Sequence, residues 1–249
     1  MDETYITKAI ILNRQPFREA DSKITVYSLD KGKLELIARG AKKIKSKLAG
    51  HLEPFCLSDL MIVKGKQFDY IGGAVSENCY VNIKNDLEKL VFTGKAISVF
   101  NRLVKLGEKD EAVFKLLQEI LDVLNSKQKL SISYELLINF FVLQLMSQLG
   151  HKPELRSCVV CRKEIAPNGN KFDLSRGGTI CLNCVSSIAP FLSIGGEKEE
   201  RPPISADCIK VLRLVIESDF SRLTKLKIND ILAKETKNII CSFQNYYGL

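Results

Sequence analysis

Four of the eight cysteines stand in two Cys-x-x-Cys pairs, Cys158-Val159-Val160-Cys161 and Cys181-Leu182-Asn183-Cys184, with nineteen residues between them. A two-residue gap lets both thiolates of a knuckle reach one ion. Two knuckles supply the four soft, tetrahedral donors that zinc favours. All four positions are protein thiols, which leaves no open coordination position. The expected role is therefore structural: one zinc per chain, replacing a core that a segment of about thirty residues is too small to build. Two other readings stand beside it, a site that has lost its metal and a redox-active Cys-x-x-Cys. No βαβ pattern surrounds either pair, which weighs against the second.

The other stretch with chemical promise is Arg39-Gly40-Ala41-Lys42-Lys43-Ile44-Lys45-Ser46-Lys47, five basic residues in nine positions and no acidic one. Cations spaced this closely project a positive field into water. Phosphate is the matching partner, because each Lys or Arg that displaces a condensed counterion adds to binding by releasing it. Arg14 and Arg18, near the end of the first strand pattern, are placed to join Arg39, Lys42, Lys43, Lys45 and Lys47 as nucleic-acid ligands. The alternative is a solvated charge run with no ligand.

Little else points to chemistry. The two histidines, His51 and His151, are isolated. Gly72-Gly73 and Gly177-Gly178 lack the Lys-Ser/Thr of a phosphate loop, and no Gly-x-Ser-x-Gly occurs. Glu19 and Asp21 lie between Arg18 and Lys23, which predicts a local salt-bridge network rather than an acid/base pair. The expectation is a binding protein and not an enzyme.

The elements that must position these residues fall into two kinds. In the first eighty residues, five short strand patterns are separated by turns: Tyr5–Leu12, Ser22–Leu29, Lys33–Ala38, Cys56–Val63 and Gln67–Val75, with Asp30-Lys31-Gly32 as a tight turn. Five strands without a useful helix predict a small closed barrel. A five-stranded OB-fold fits, with an SH3-like barrel as runner-up. Phe68 and Tyr70 either stack on bases or fill the barrel. From Asn85 the period becomes helical. Leu87, Leu90, Val91, Ile97, Phe100 and Val104 follow the cap Asp86; Ala112, Leu116, Leu117, Ile120 and Leu124 form a second helix. A third starts at Ser133, apolar nearly all round, and stops at Gly150; it belongs at the centre of a bundle. After the cysteine segment, helices resume at Ser205 and at about Asp230, the last with Ile231, Leu232, Ile239, Ile240 and Phe243 inward. Asn168-Gly169-Asn170 reads as the hairpin turn between the knuckles, and Gly195–Pro203 as a connector.

The predicted class is thus α+β: residues 1–80 an OB-fold β-barrel, 81–155 the first part of an α-helical bundle, 156–187 an inserted four-cysteine zinc module, and 188–249 the second part of the bundle. The net charge of +8 comes with ordinary apolar content, 45%, and no apolar run reaches the length of a membrane span. The N-terminal residues have no signal-peptide layout, so the cytoplasm is expected. There the isolated Cys56, Cys79, Cys208 and Cys241 read as small core residues rather than disulfides.

The motifs, in order, resemble those of the RecO family of bacterial recombination mediators. Arg18-Glu19-Ala20-Asp21 looks like the family's early turn. Arg39 to Ser46 looks like its Gly-Ala-basic-basic-x-x-Ser loop, and Leu52-Glu53-Pro54-Phe55 like its Leu-x-Pro-Phe. Leu145 to Gly150, then Pro153 and the first Cys-x-x-Cys, resemble its helix-to-zinc junction. Pro16-Phe17 departs from a more polar approach to the early turn. The resemblance implies an OB-fold, a helical bundle and a zinc module. It implies binding to single- and double-stranded DNA, annealing of complementary strands, and help in loading recombinase onto strands coated with single-strand-binding protein, in the cytoplasm at the nucleoid. Implied partners are RecR and the acidic C-terminal tail of the coating protein, the latter requiring an apolar groove with a basic rim between residues 81 and 249. A reading of another class is an RNA-binding or ribosome-associated factor, which would prefer folded RNA to single-stranded DNA.

Overall fold

Five strands close on themselves because one of them is long enough to pair on both sides. In the computed structural model, which describes residues 3–188 and 201–248, β1 (Thr4–Pro16) pairs through residues 4–10 with β4 (Leu57–Val63). Through residues 9–16 it pairs with β2 (Ser22–Ser28). A register shift between Ile11 and Asn13 bends the strand where it changes partner. β2 continues into β3 (Gly32–Ala38), and β3 pairs in parallel with β5 (Asp69–Asn78) at Leu36 with Asp69 and Ile37 with Tyr70. β5 returns antiparallel to β4, so the closed order is β1-β2-β3-β5-β4. This mixed, closed, five-stranded sheet is OB-like, as expected from the strand count. Alternation sends Ala9, Ile11, Ile24, Val26, Leu36, Ala38, Leu60, Ile62 and Ile71 into one core.

The chain divides into two compact units, Met1–Lys127 and Gln128–Leu249. The first adds the single turn α1 (Val81–Lys84), α2 (Leu87–Leu103) and α3 (Glu111–Asn125) to the barrel. Asp86 and Asp110 cap α2 and α3, each accepting from backbone N–H groups of the first turn. The inward face of α2 differs from the apolar periodicity: Leu87 and Val91 are exposed, while Lys89, Thr93, Ala96, Ile97, Phe100 and Leu103 are buried. Lys89 is drawn in because its Nζ donates to the Ser126 carbonyl, beyond the end of α3. Tyr27 of β2 lies edge-on to Phe100 and stacks with Phe114. Lys33 of β3 donates to the carbonyls of Asn101 and Val104 at the C-terminal end of α2. Burial holds the Lys33 ammonium below its usual range. Gly32 is required where it stands. Its φ is +67°, and a Cβ there would lie 2.1 Å from the Glu108 carbonyl oxygen.

Two of the four cysteines read as core thiols, Cys56 and Cys79, are instead joined as a disulfide. Leu57 faces Asn78 in the β4–β5 ladder, so the residues just outside that pair face each other as well. Cys208 is a buried thiol, pushed up to about 12 by burial.

In the second unit α4 (Tyr134–Gln148) is buried on all sides through Leu136 to Met146, as a helix apolar nearly all round predicts, and packs with α6 (Ala206–Glu217) and α8 (Asp230–Tyr246), the single turn α7 (Phe220–Leu223) standing between those two in sequence. The buried amide of Gln144 donates to the carbonyls of Val215 and Ser218. In α8, Ile239, Ile240 and Phe243 point inward, but Ile231 is exposed. Between α4 and α6 lie β6 (Lys171–Asp173), β7 (Gly178–Ile180) and α5 (Leu182–Ile188). The hairpin turns at residues 174–177, not at Asn168-Gly169-Asn170. The deciding group is Asp173, whose carboxylate accepts from Ser175 Oγ and the Arg176 backbone. The expected connector at Gly195–Pro203 lies outside the described residues as far as Glu200. Its last residues run extended beside β6, where Phe172 N–H donates to the Pro202 carbonyl. Among the described residues, no helix is long and apolar enough to cross a membrane.

Candidate nucleic-acid interface and metal centre

The basic loop leaves β3 through Gly40, whose φ of +64° an L side chain would strain. Asp21 fixes that exit by accepting from the Gly40 N–H, and the Ala20 carbonyl accepts from the Lys42 N–H. Asp21 therefore clamps a loop instead of joining the expected salt-bridge network, and Lys23 pairs with Glu35 across the β2–β3 ladder. Ala41 and Leu52 are buried in the barrel core and Leu48 packs against it. Between these anchors Lys42, Lys43, Lys45 and Lys47 are exposed, as are Arg39 before them and Ile44 among them.

The two arginines expected to join this group behave differently. Arg14 turns its guanidinium into the loop, donating to the carbonyls of Ala41 and Ala49 and pairing with Glu53. It ties both ends of the loop to β1. Arg18 is exposed and lies over the Phe17 ring at 5.2 Å. The Arg39 guanidinium covers the Tyr70 ring at 3.9 Å, and Phe17 meets Phe68 edge-on with centroids 5.7 Å apart. Phe68 is 40% exposed, so it does not fill the barrel. His51 Nδ1 accepts from the Ser76 backbone and lies within hydrogen-bond distance of its hydroxyl; it holds the 3-10 turn at Ala49–Leu52 against β5 rather than reaching the lysines.

The four cysteines of the paired motifs converge. Their sulfurs all lie within 4.8 Å of one another, and Cys161 and Cys181 are 3.8 Å apart. A tetrahedral ion with metal–sulfur bonds of about 2.3 Å sets its ligands roughly 3.8 Å apart, so the cluster fits zinc in number, donor type and spacing. Burial pushes the Cys158 thiol up, but the N–H groups of Cys161, Cys181 and Val160 outweigh it and bring the thiol down to about 6. Burial and the neighbouring sulfurs push Cys184 up to about 12. Ionising all four sulfurs at this spacing would need a cation among them. The knuckles are shaped by Arg162, at φ +61°, whose N–H returns to the Cys158 carbonyl, and by Val159, whose N–H donates to the Thr179 carbonyl.

Behind the knuckles Asp173 is buried against Arg176 and Arg201. Burial pushes its carboxyl up, yet the hydrogen bonds from Ser175 and Arg176 and the Arg201 charge together hold it below the usual carboxylate range. Phe172 packs edge-on to Phe243 of α8. The sequence signal for this group is the turn chemistry of Asp173-x-x-Arg176.

Comparison with known proteins agrees with these features. Residues 1–80 match the family model described as Recombination protein O N terminal, and residues 84–248 the one described as Recombination protein O C terminal. The chain is 32% identical over 229 residues to a DNA repair protein RecO from Dehalococcoides mccartyi, covering 92% of this chain and 85% of that protein. With a DNA repair protein RecO from Desulforamulus reducens it shares 28% identity over 243 residues, 98% of this chain and 89% of the other. An OB-like barrel, a helical unit, four converging thiols and matches running nearly end to end lead to one conclusion: the chain belongs to the RecO family of DNA repair proteins.

Proposed function

We propose that this chain is a DNA-binding mediator. It binds single- and double-stranded DNA through Arg39, Lys42, Lys43, Lys45 and Lys47, anneals complementary strands, and helps load recombinase onto strands coated with single-strand-binding protein. The observation that carries the reading is the loop itself: exposed cations on a segment pinned at both ends by Asp21, Arg14 and the barrel core. Such a surface needs no reaction chemistry. It neutralises phosphates so that two strands approach that otherwise repel, and backbone contact carries no sequence information. Arg18 lies beside these groups and belongs with them; Arg14 serves by holding the loop.

Zinc is the proposed resident metal, one per chain, held by Cys158, Cys161, Cys181 and Cys184. When bound it supplies no reaction step; it neutralises the thiolates and fixes the knuckles. RecR and the acidic tail of the coating protein are the proposed partners. For the tail, the second unit offers a groove of about 340 Å³ lined by apolar Pro153, Leu155 and Ile216, basic Lys152, Arg156 and Arg213, and acidic Glu154 and Glu217, the last paired with Arg156.

A strand-annealing assay with complementary oligonucleotides, with and without cognate single-strand-binding protein, tests the proposal. The protein should accelerate annealing in both cases. Failure to anneal, together with preference for folded RNA, would overturn it in favour of an RNA-binding role.

A further inference from the structure

An OB-like barrel with strand order β1-β2-β3-β5-β4 has two loops that meet beside the C-terminal end of β3: β1–β2 and β4–β5. In OB-folds this pair of loops, with the face of strands 2 and 3, receives oligonucleotides. Here part of that face is closed off, since Tyr27 is covered by Phe100 and Phe114, and Lys33 is spent on the end of α2. The meeting point of the two loops stays open, and each contributes a phenylalanine to it. Phe17 stands in the β1–β2 turn and Phe68 at the end of the β4–β5 turn. They touch edge to face, yet are 37% and 40% exposed.

Contact with each other does not remove these residues from water, so packing alone leaves their exposure unexplained. Their surroundings select the occupant. Arg18 lies over Phe17, and Arg39 covers Tyr70, two residues beyond Phe68. Arg39 also opens the basic loop, whose Lys42 Nζ donates to the Arg18 carbonyl. Partly exposed aromatic rings bordered by guanidinium groups and backed by a lysine run match a single nucleic-acid strand, with bases on the rings and phosphates on the cations. A duplex keeps its bases stacked inside and offers these rings nothing.

We infer that Phe17 and Phe68 form a base-stacking platform that gives this chain a preference for single strands over duplex. The inference rests on the proposal that the basic loop binds phosphate, and adds to it a site for bases. The lysines supply affinity common to single and double strands; the rings add what only an unpaired strand can use.

The test measures binding of a fluorescein-labelled oligothymidylate, an abasic strand of equal length and a duplex of equal length, across a salt series. The Phe17→Ala/Phe68→Ala variant should bind the oligothymidylate about tenfold or more weakly. Its affinity for the abasic strand and the duplex, and its salt slope, should stay as in the wild type. Undiminished oligothymidylate binding, or an equal loss on the abasic strand, overturns the platform. A second variant keeps the question open to a direct readout. The chain has no tryptophan, so Phe68→Trp places a single fluorophore on the platform. Its emission should be quenched by the oligothymidylate and unchanged by the duplex; no quenching overturns the inference. The variant Lys42→Ala/Lys43→Ala/Lys45→Ala, run alongside, separates the two ideas. A flattened salt slope there with no effect of the phenylalanines means that the loop stands and the platform fails. Loss on the phenylalanine variant with an unchanged slope in the lysine variant means the reverse.

Discussion

The basic loop and the cysteine module both hold irregular chain in one conformation, by opposite means. The loop borrows its order from the barrel. Ala41, Leu48 and Leu52 pack on a closed core, Asp21 fixes the glycine turn, and Arg14 ties both ends. The lysines proposed to bind DNA take no part in that support, apart from the Lys42 contact with the Arg18 carbonyl. The module has strands of three residues and four sulfurs that repel one another once ionised. Its binding groups are also its framework. In the loop, binding and folding are therefore separable by mutation; in the module they are not.

The largest effect should come from removing a ligand. Cys158→Ser takes away the buried donor of the cluster, so bound zinc should fall and the second unit should melt roughly 10 °C lower. Elemental analysis and a thermal melt check both. A zinc-replete variant of wild-type stability would show that the module does not depend on its metal site. Asp173→Asn should come next, costing about 3 kcal/mol, because two arginines lose the charge they are packed around. The folded Asp173 carboxyl titrates below its unfolded value, which is about 3.9. Its contribution is thus complete above that unfolded value and is lost as pH falls through the folded one. Denaturant melts of wild type and Asp173→Asn should converge at low pH and separate towards neutrality. The smallest effect belongs to the loop's support. Arg14→Ala should cost the first unit about 1 kcal/mol, measured by urea unfolding, while leaving the salt dependence of DNA binding nearly unchanged. A change in salt slope as large as that from losing a lysine would show that Arg14 contacts phosphate after all.

Much of this was legible from local signals. The cysteine spacing announces a four-ligand site because knuckle geometry is set within four residues. Asp86, Ser133 and Gly150 mark helix ends for equally local reasons, and the turn signals delimit the strands well enough to count five. What escaped depends on partners far apart in the chain. The Cys56–Cys79 bond follows from the β4–β5 register, which no turn residue encodes. The inward face of α2 is set by Lys89 reaching Ser126, so apolar periodicity misplaces Leu87 and Val91. Arg14 reads as one more cation until the loop folds back over it. The Phe17–Phe68 contact joins two loops that only barrel closure brings together.

The central claim, that the loop is the main phosphate-binding element, is tested most directly by a salt titration of fluorescent single-strand binding. Wild type should be compared with Lys42→Ala/Lys43→Ala/Lys45→Ala. With about four cations engaged, the wild-type log–log slope should be roughly −3, and the variant should flatten it by about two while melting as the wild type does. Sequences of different composition should weaken alike. A folded variant with the wild-type slope and affinity would contradict the account, leaving the loop as solvated surface and the DNA bound elsewhere.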